Sequence, residues 1–144
     1  MAVLTEGLED YLESILLCEK DKKIVRTKHL AERLKVKSPS VNAAIKELSR
    51  LGLVNHESYG HIELTREGRT RAEVVYTRHK VLFRFFSSTL GLPEGESEST
   101  ACGIEHHLDS SALKKLQSLL EFIERKRNSS KKFAAELTEA VDNE

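Results

Sequence analysis

Thr27-Lys28-His29-Leu30-Ala31-Glu32-Arg33-Leu34-Lys35-Val36-Lys37-Ser38-Pro39-Ser40-Val41-Asn42-Ala43-Ala44-Ile45-Lys46-Glu47-Leu48-Ser49-Arg50-Leu51-Gly52 is the stretch whose reading decides the fold. Thr27 is placed to cap a short helix that runs through Leu34, and Lys35-Val36-Lys37 forms a turn. Ser38-Pro39 then pairs a capping residue with a proline at the first helical position. The second helix reaches about Leu51 and turns Val41, Ala44, Ile45, Leu48 and Leu51 to one side. Gly52 occupies the position where a left-handed residue ends a helix. Helix, short turn and helix with a basic outer face predict a helix-turn-helix.

The flanking residues extend this reading. Leu8, Tyr11, Leu12, Ile15 and Leu16 repeat at helical spacing over residues 5–19, with Thr5 as cap, and Cys18 falls in the apolar stripe and is expected in the core. After Gly52, a strand Leu53–His56, a turn around Ser58-Tyr59-Gly60 and a second strand His61–Thr65 predict a β-hairpin wing. Thr65 then caps a long helix from Arg66 to about Leu90. Gly91-Leu92-Pro93-Glu94-Gly95 interrupts the chain, a short helix is expected around Ser97 to Leu108, and Asp109 caps another with Leu113, Leu116, Leu119, Leu120 and Ile123 on one side. A last amphipathic helix is expected from Lys131 to Val141. The fold class expected is mainly α, an N-terminal winged helix-turn-helix (residues 1–71) followed by a C-terminal helical metal-binding and dimerisation domain (residues 72–144).

Composition narrows the functional classes. The 144 residues are 39% hydrophobic and 32% charged, with two Pro and no Trp, a profile of a soluble helical protein. No apolar run is long enough for a membrane span, so a cytoplasmic protein with no membrane partner is expected. Cys18 and Cys102 are too few for a disulfide framework, and reduced thiols are the default. The net charge of zero hides an uneven distribution. Lys20, Lys22, Lys23, Arg26, Lys28, Arg33, Lys35, Lys37, Lys46 and Arg50 are offset only by Asp21, Glu32 and Glu47. From Gly91 to Ser111 the charged residues are Glu94, Glu96, Glu98, Glu105 and Asp109. The first region suits a polyanion and the second a cation.

Cys102-Gly103-Ile104-Glu105-His106-His107 places a thiol, a carboxylate and an imidazole at i, i+3 and i+4, on one face of a helix, with His107 pointing elsewhere. Those are ligands for a divalent transition metal, although packing and surface roles are the commoner use of such residues. Asp10 and Glu13 share a face of the first helix away from its apolar stripe, which read alone is a solvated acidic face. His79 lies beside the apolar stripe of the long helix, where a hydrogen-bonded or exposed histidine is the commoner outcome.

In its entirety the chain resembles the diphtheria-toxin-repressor family of metal-dependent transcriptional regulators, and within it the short manganese-transport-regulator branch. The resemblance rests on Asp10-x-x-Glu13, the helix-turn-helix from Leu30-Ala31-Glu32-Arg33-Leu34 to Leu53, Leu64-Thr65-x-x-Gly68, Tyr76-x-x-His79 and Gly103-Ile104-Glu105-His106-His107-Leu108. It implies that Asp10, Glu13, His79, Cys102, Glu105 and His106 hold the metal. Cys102 departs from the manganese branch, which has a glutamate there, and Asp10 departs from the iron-responsive branch, which has a methionine. Phe83 replaces the carboxylate of the ancillary site of iron-responsive members, and the SH3-like domain of longer members has no counterpart within these residues. The hard carboxylates favour Mn2+ or Fe2+, while the sulfur pulls toward softer ions, so that Zn2+ or Co2+ could bind in vitro.

The expected function is a homodimeric, metal-dependent repressor of metal homeostasis that binds a palindromic double-stranded DNA operator. Ser38, Pro39, Ser40, Asn42 and Lys46 project from the early turns of the recognition helix toward bases or phosphates, and Thr27, Lys28, Lys37 and Arg50 serve phosphates. The apolar side of residues 97–127 is the expected dimer surface. Two other readings use the same residues. One is a winged-helix regulator sensing redox state through Cys102 or an organic ligand; it leaves Asp10, Glu13 and His79 unexplained. The other is a small metallohydrolase with Glu105 as base, for which a helix-turn-helix would be superfluous.

Overall fold

The structure is a computed structural model and describes residues 3–21, 24–57 and 60–143. The chain divides into two compact units, Met1–Tyr76 and Thr77–Glu144, and the division falls inside one long helix.

In the first unit, α1 (Glu6–Lys20) starts at Thr5, whose hydroxyl accepts from the Leu8 N–H at 3.2 Å. Leu12, Ile15 and Leu16 are fully buried and Cys18 is in the core with them. Next come α2 (Thr27–Leu34) and α3 (Ser38–Arg50), the predicted helix-turn-helix pair. Both caps fall one residue earlier than the sequence suggests. Arg26 precedes α2, and its N–H is accepted by Nδ1 of His29 at 3.1 Å. The Thr27 hydroxyl instead donates across the motif to Asn42 Oδ1 at 3.5 Å. Lys37 precedes α3, leaving Ser38 and Pro39 as its first two residues. A proline is tolerated there because first-turn N–H groups have no partner inside the helix. Between the helices, Lys35 takes the left-handed conformation with φ 54° and ends α2.

The end of α3 fixes the next step. Gly52 has φ +74°, its N–H donates to Ser49 O at 3.0 Å, and the Leu53 N–H donates to Leu48 O at 2.9 Å. This reciprocal pair is the Schellman arrangement, and it needs the left-handed glycine. The chain then enters β1 (Val54–His56), which pairs antiparallel with β2 (Ile62–Leu64) in the register Val54↔Leu64, Asn55↔Glu63, His56↔Ile62. The predicted wing is present; Ser58 and Tyr59 of its turn lie outside the described residues. A third segment joins it, since the Ile62 N–H donates to Val25 O at 2.9 Å.

Thr65 closes the unit. Its N–H donates to Leu53 O at 3.0 Å, its hydroxyl donates to Gly52 O at 2.8 Å, and the same oxygen accepts from the Gly68 N–H at 3.0 Å. One threonine thus caps α4 (Arg66–Arg84) and binds the carbonyls that follow α3. Gly68 packs directly on that backbone, where an added Cβ would stand 1.9 Å from Leu53 O. An ion pair between Arg69 and Glu19, and Lys20 lying 3.8 Å from Glu73 and 4.3 Å from the Tyr76 ring centroid, join α1 to α4.

In the second unit α4 does not stay α-helical to Leu90. It widens into a π-helical turn over Phe85–Thr89, where the Leu90 N–H reaches back to Phe85 O at 3.0 Å. Arg127 donates to Ser88 O within this turn at 2.9 Å, and Arg84 pairs with Glu124 at 3.3 Å. Gly91, with φ +73°, turns the chain into α5 (Glu94–Ile104). That helix starts earlier than the predicted Ser97, because Glu94 and Glu96 in its first turn complement the helix dipole. It ends in a 3-10 turn, Glu105–His107. Asp109 then caps α6 (Ser110–Ser129), accepting from the Ala112 N–H at 2.7 Å, and Ser130 caps α7 (Lys131–Asp142). Leu120 of α6 is buried, while Leu119 and Phe122 are about half exposed. No helix among the described residues is long and apolar enough to cross a membrane.

Gly68→Ala should lower stability by about 3 kcal/mol, at the upper end of overpacking costs, because the methyl group meets backbone rather than a movable side chain. Urea unfolding of the full chain measures this. A loss below about 1 kcal/mol would mean that α4 can move away without disturbing the junction.

Candidate metal centre

The second unit brings four of the predicted ligands together on α4, α5 and the 3-10 turn. His79, on α4, is buried, and its Nδ1 lies 2.6 Å from Glu105 Oε2 and 3.7 Å from Cys102 Sγ. Its Nε2 lies 3.0 Å from Glu98 Oε2. His106 Nε2 is 3.6 Å from Glu105 Oε1, and its side chain is almost wholly buried. The Phe83 ring, one helical turn beyond His79, stacks on the imidazole with centroids 6.4 Å apart and planes 17° apart. The expectation of one helical face through residues 102 to 106 is modified at Glu105, where the backbone tightens to three residues per turn.

Glu98 is the residue that sequence reading missed. It stands four before Cys102 and seven before Glu105, the i, i+4, i+7 spacing of one helical face, and that periodicity was the available signal. His79, Glu98 and Cys102 can each offer a ligand atom with all three within 4.8 Å of one another.

Glu105 carries the strongest chemical statement. It is fully buried, yet its Oε1 has no hydrogen-bond partner among the described residues. A buried carboxylate with an unsatisfied oxygen is costly unless a positive charge faces it. Its oxygens face two imidazoles, His79 Nδ1 at 2.6 Å and His106 Nε2 at 3.6 Å, and carboxylate and imidazole are donors suited to a first-row divalent ion. In the first unit, Asp10 and Glu13 stand on α1, and Glu13 is 8% exposed, so its carboxylate does not belong to a solvated acidic face. The Tyr11 hydroxyl between them has its pKa raised by burial.

The predicted DNA-contacting residues also lie in the first unit. Lys28, Lys37, Ser38, Pro39, Ser40, Asn42, Lys46 and Arg50 are exposed and Thr27 is half-buried, while Val41, Ala44, Ile45 and Leu48 take the inner side of α3. Arg50 is held by Glu47, with Nη2 and Nε donating to the two carboxylate oxygens at 2.6 and 2.9 Å. Those hydrogen bonds, with the charge attraction, hold the Glu47 carboxyl below its ordinary range and raise Arg50.

Residues 3–62 match the family model described as "Iron dependent repressor, N-terminal DNA binding domain", and residues 65–134 match "Iron dependent repressor, metal binding and dimerisation domain". The chain belongs to the iron-dependent repressor family. It is 35% identical to an uncharacterized HTH-type transcriptional regulator of Methanocaldococcus jannaschii over 82% of this chain and 95% of that one. Among solved structures it resembles a manganese-dependent transcriptional repressor in complex with manganese, at 31% identity and a TM-score of 0.74 over 80% of this chain and 53% of that one. It also resembles the manganese regulator SloR, at 25% identity and 0.73 over 83% and 55%. The chain thus spans about half the length of these solved repressors. Iron-dependent repressors are DNA-binding, metal-dependent transcription regulators, and the family is not a class of enzymes.

The residues present fit the metal that this family implies. His79, Cys102, Glu105 and His106 would hold it in the second unit, and the buried Glu105 Oε1, which accepts no hydrogen bond among the described residues, is the observation that favours a cation there. Zn2+ or Mn2+ at a hundred times Kd should stabilise the protein by about 2.7 kcal/mol, read as a rise in the thermal midpoint. Glu105→Gln should remove that rise. An equal rise in the variant would place the ion elsewhere.

Proposed function

We propose that this protein is a homodimeric repressor that binds a palindromic DNA operator in the cytoplasm when Mn2+ or Fe2+ is bound, and so controls metal homeostasis. The observation that carries the reading is the buried Glu105 carboxylate, with one oxygen unsatisfied, in a chain whose other unit is a winged helix-turn-helix.

Asp10 and Glu13 of the first unit are proposed metal ligands, as are His79, Cys102, Glu105 and His106 of the second. A bound divalent ion supplies positive charge beside the buried Glu105 carboxylate. The work of recognition belongs to the chain itself. Ser38, Ser40, Asn42 and Lys46 on the early turns of α3 read bases or phosphates in the major groove, with Pro39 fixing the helix entry. Thr27, Lys28, Lys37 and Arg50 hold the phosphates, and the hairpin rests on the backbone or minor groove. Half exposed, Leu119 and Phe122 on α6 supply apolar surface for a second copy. The dimer then sets the distance between two recognition helices, which must match half-sites about 34 Å apart or a multiple.

A coupling of about 1 to 3 kcal/mol between metal binding and DNA binding would change operator affinity by roughly 5- to 150-fold. The coupling is reciprocal, so metal affinity rises on DNA. The carboxylates favour Mn2+ or Fe2+, and the sulfur of Cys102 shifts the balance toward Fe2+ or Zn2+.

A gel shift on genomic DNA fragments, with and without metal, tests the reading. Wild-type protein should retard its operator only with metal, while Glu13→Ala and Glu105→Ala should lose that response and keep the fold and dimer. Equal DNA affinity with and without a chelator in the wild type would overturn it. Loss of binding after thiol oxidation, with no metal response, would favour the redox regulator instead.

The sulfur has its own test. Cys102→Glu should shift preference toward Mn2+ over Fe2+ and Zn2+ in anaerobic titrations. An unchanged ranking would remove Cys102 from the ligand set.

A further inference from the structure

His79 offers two nitrogens on opposite edges of its ring, and the second unit treats them differently. Nδ1 looks onto the buried side, with Glu105 Oε2 at 2.6 Å and Cys102 Sγ at 3.7 Å. Nε2 looks toward Glu98, whose Oε2 is 3.0 Å away and whose side chain is 56% exposed. The Phe83 ring lies nearly parallel to the imidazole, with centroids 6.4 Å apart.

We propose that Glu98 is a positioning residue: it accepts the Nε2–H of His79 and thereby leaves the Nδ1 lone pair aimed at the metal position beside Glu105 and Cys102. The proposal rests on the metal-centre reading above. A neutral imidazole has one acceptor nitrogen and one donor, and a ligating histidine places its proton on the nitrogen away from the ion. An acceptor for that proton fixes both the tautomer and the ring direction and strengthens the ligand. Glu98 is the carboxylate in place to do so. It reaches His79 from α5, a turn before Cys102, so one helix supplies both a donor to the ion and the group that orients the histidine.

The opposing possibility is that Glu98 itself ligates the ion, and chemistry separates the two. A hydrogen-bond acceptor can be a carboxylate or an amide oxygen, whereas a neutral amide is a poor substitute for a carboxylate ligand.

The experiment uses the full chain with Co2+ and Zn2+ as probes and operator binding set aside. Glu98→Ala should weaken Co2+ affinity about 10- to 100-fold in chelator competition, the usual effect of losing such a partner. Its visible and thiolate charge-transfer bands at saturation should keep the wild-type shape. Glu98→Gln should recover most of the affinity. In the Zn2+-loaded protein, nitrogen-15 NMR should find the His79 proton on Nε2, exchanging with water faster in Glu98→Ala than in wild type.

A Glu98→Ala affinity within twofold of wild type would overturn the proposal, as would a Gln variant no better than Ala with a changed Co2+ spectrum. Glu105→Gln serves as the control. If it abolishes Co2+ binding while Glu98→Ala has no effect, the metal centre stands and the positioning role falls. If wild-type protein binds neither ion, both fall.

Discussion

The backbone carbonyls of Gly52 and Leu53 are the constraint on which the DNA-binding unit depends. The end of α3, the start of β1 and the start of α4 meet there. Gly52 supplies the left-handed turn, Leu53 anchors it by donating to Leu48, and Thr65 returns after the hairpin to bind both carbonyls. Absence of a side chain at Gly68 then lets α4 lie against the same peptide. Each of these bonds is worth only about 1 kcal/mol, but together they fix three chain directions at one point. A change at any of the four residues would therefore disturb the direction of the recognition helix and of the long helix together.

The second unit is organised around a different kind of cost. Glu105 is fully buried, with Oε2 2.6 Å from His79 Nδ1 and Oε1 without a hydrogen bond among the described residues. A core optimised for stability alone would carry an apolar residue in that place. Retaining a carboxylate there, flanked by two imidazoles, makes the protein without a ligand less stable than it could be. Sites where local rules of folding fail are where function is expected. The π-helical turn after Phe85 is a second irregularity of this kind, since it interrupts α4 a turn and a half beyond His79.

The helices, the wing and the two-part organisation were legible because they rest on apolar periodicity and on punctuation by Gly, Pro, Ser, Thr and Asp. The cap at Thr5, the stop at Gly52, the cap at Asp109 and the core position of Cys18 are local events that neighbouring residues dictate. What could not be read arises from partners far along the chain. Thr27 gives its hydroxyl to Asn42 and leaves capping to His29, Val25 pairs with Ile62, and the turn at Ser88 is completed by Arg127. In the candidate site, the motif from Cys102 to His106 was visible as a spacing, and His79 entered through family resemblance. Glu98 sat on the same face of the same helix but within an acidic run, where a single carboxylate has no distinguishing neighbour in sequence. Only the approach of α4 to α5 singles it out.

If the proposed ligand set holds the metal, its preference would turn on how the softest donor is presented. Affinity for nitrogen, oxygen and sulfur ligands rises along the first-row divalent ions toward copper, so discrimination between Mn2+ and Fe2+ must come from ligand type and geometry rather than strength. Cys102 is exposed while Glu105 is fully buried, so the sulfur lies at the solvent side of the donor set and the carboxylate at its core. Ligation through sulfur requires loss of the thiol proton, whereas carboxylates at neutral pH need lose none. Ions that form strong bonds to sulfur bring about that loss more readily than Mn2+ does. With glutamate at this position the set would treat Mn2+ and Fe2+ more nearly alike. With cysteine, a sulfur ligand would favour Fe2+ over Mn2+ by its softness, and the buried carboxylate would serve either ion.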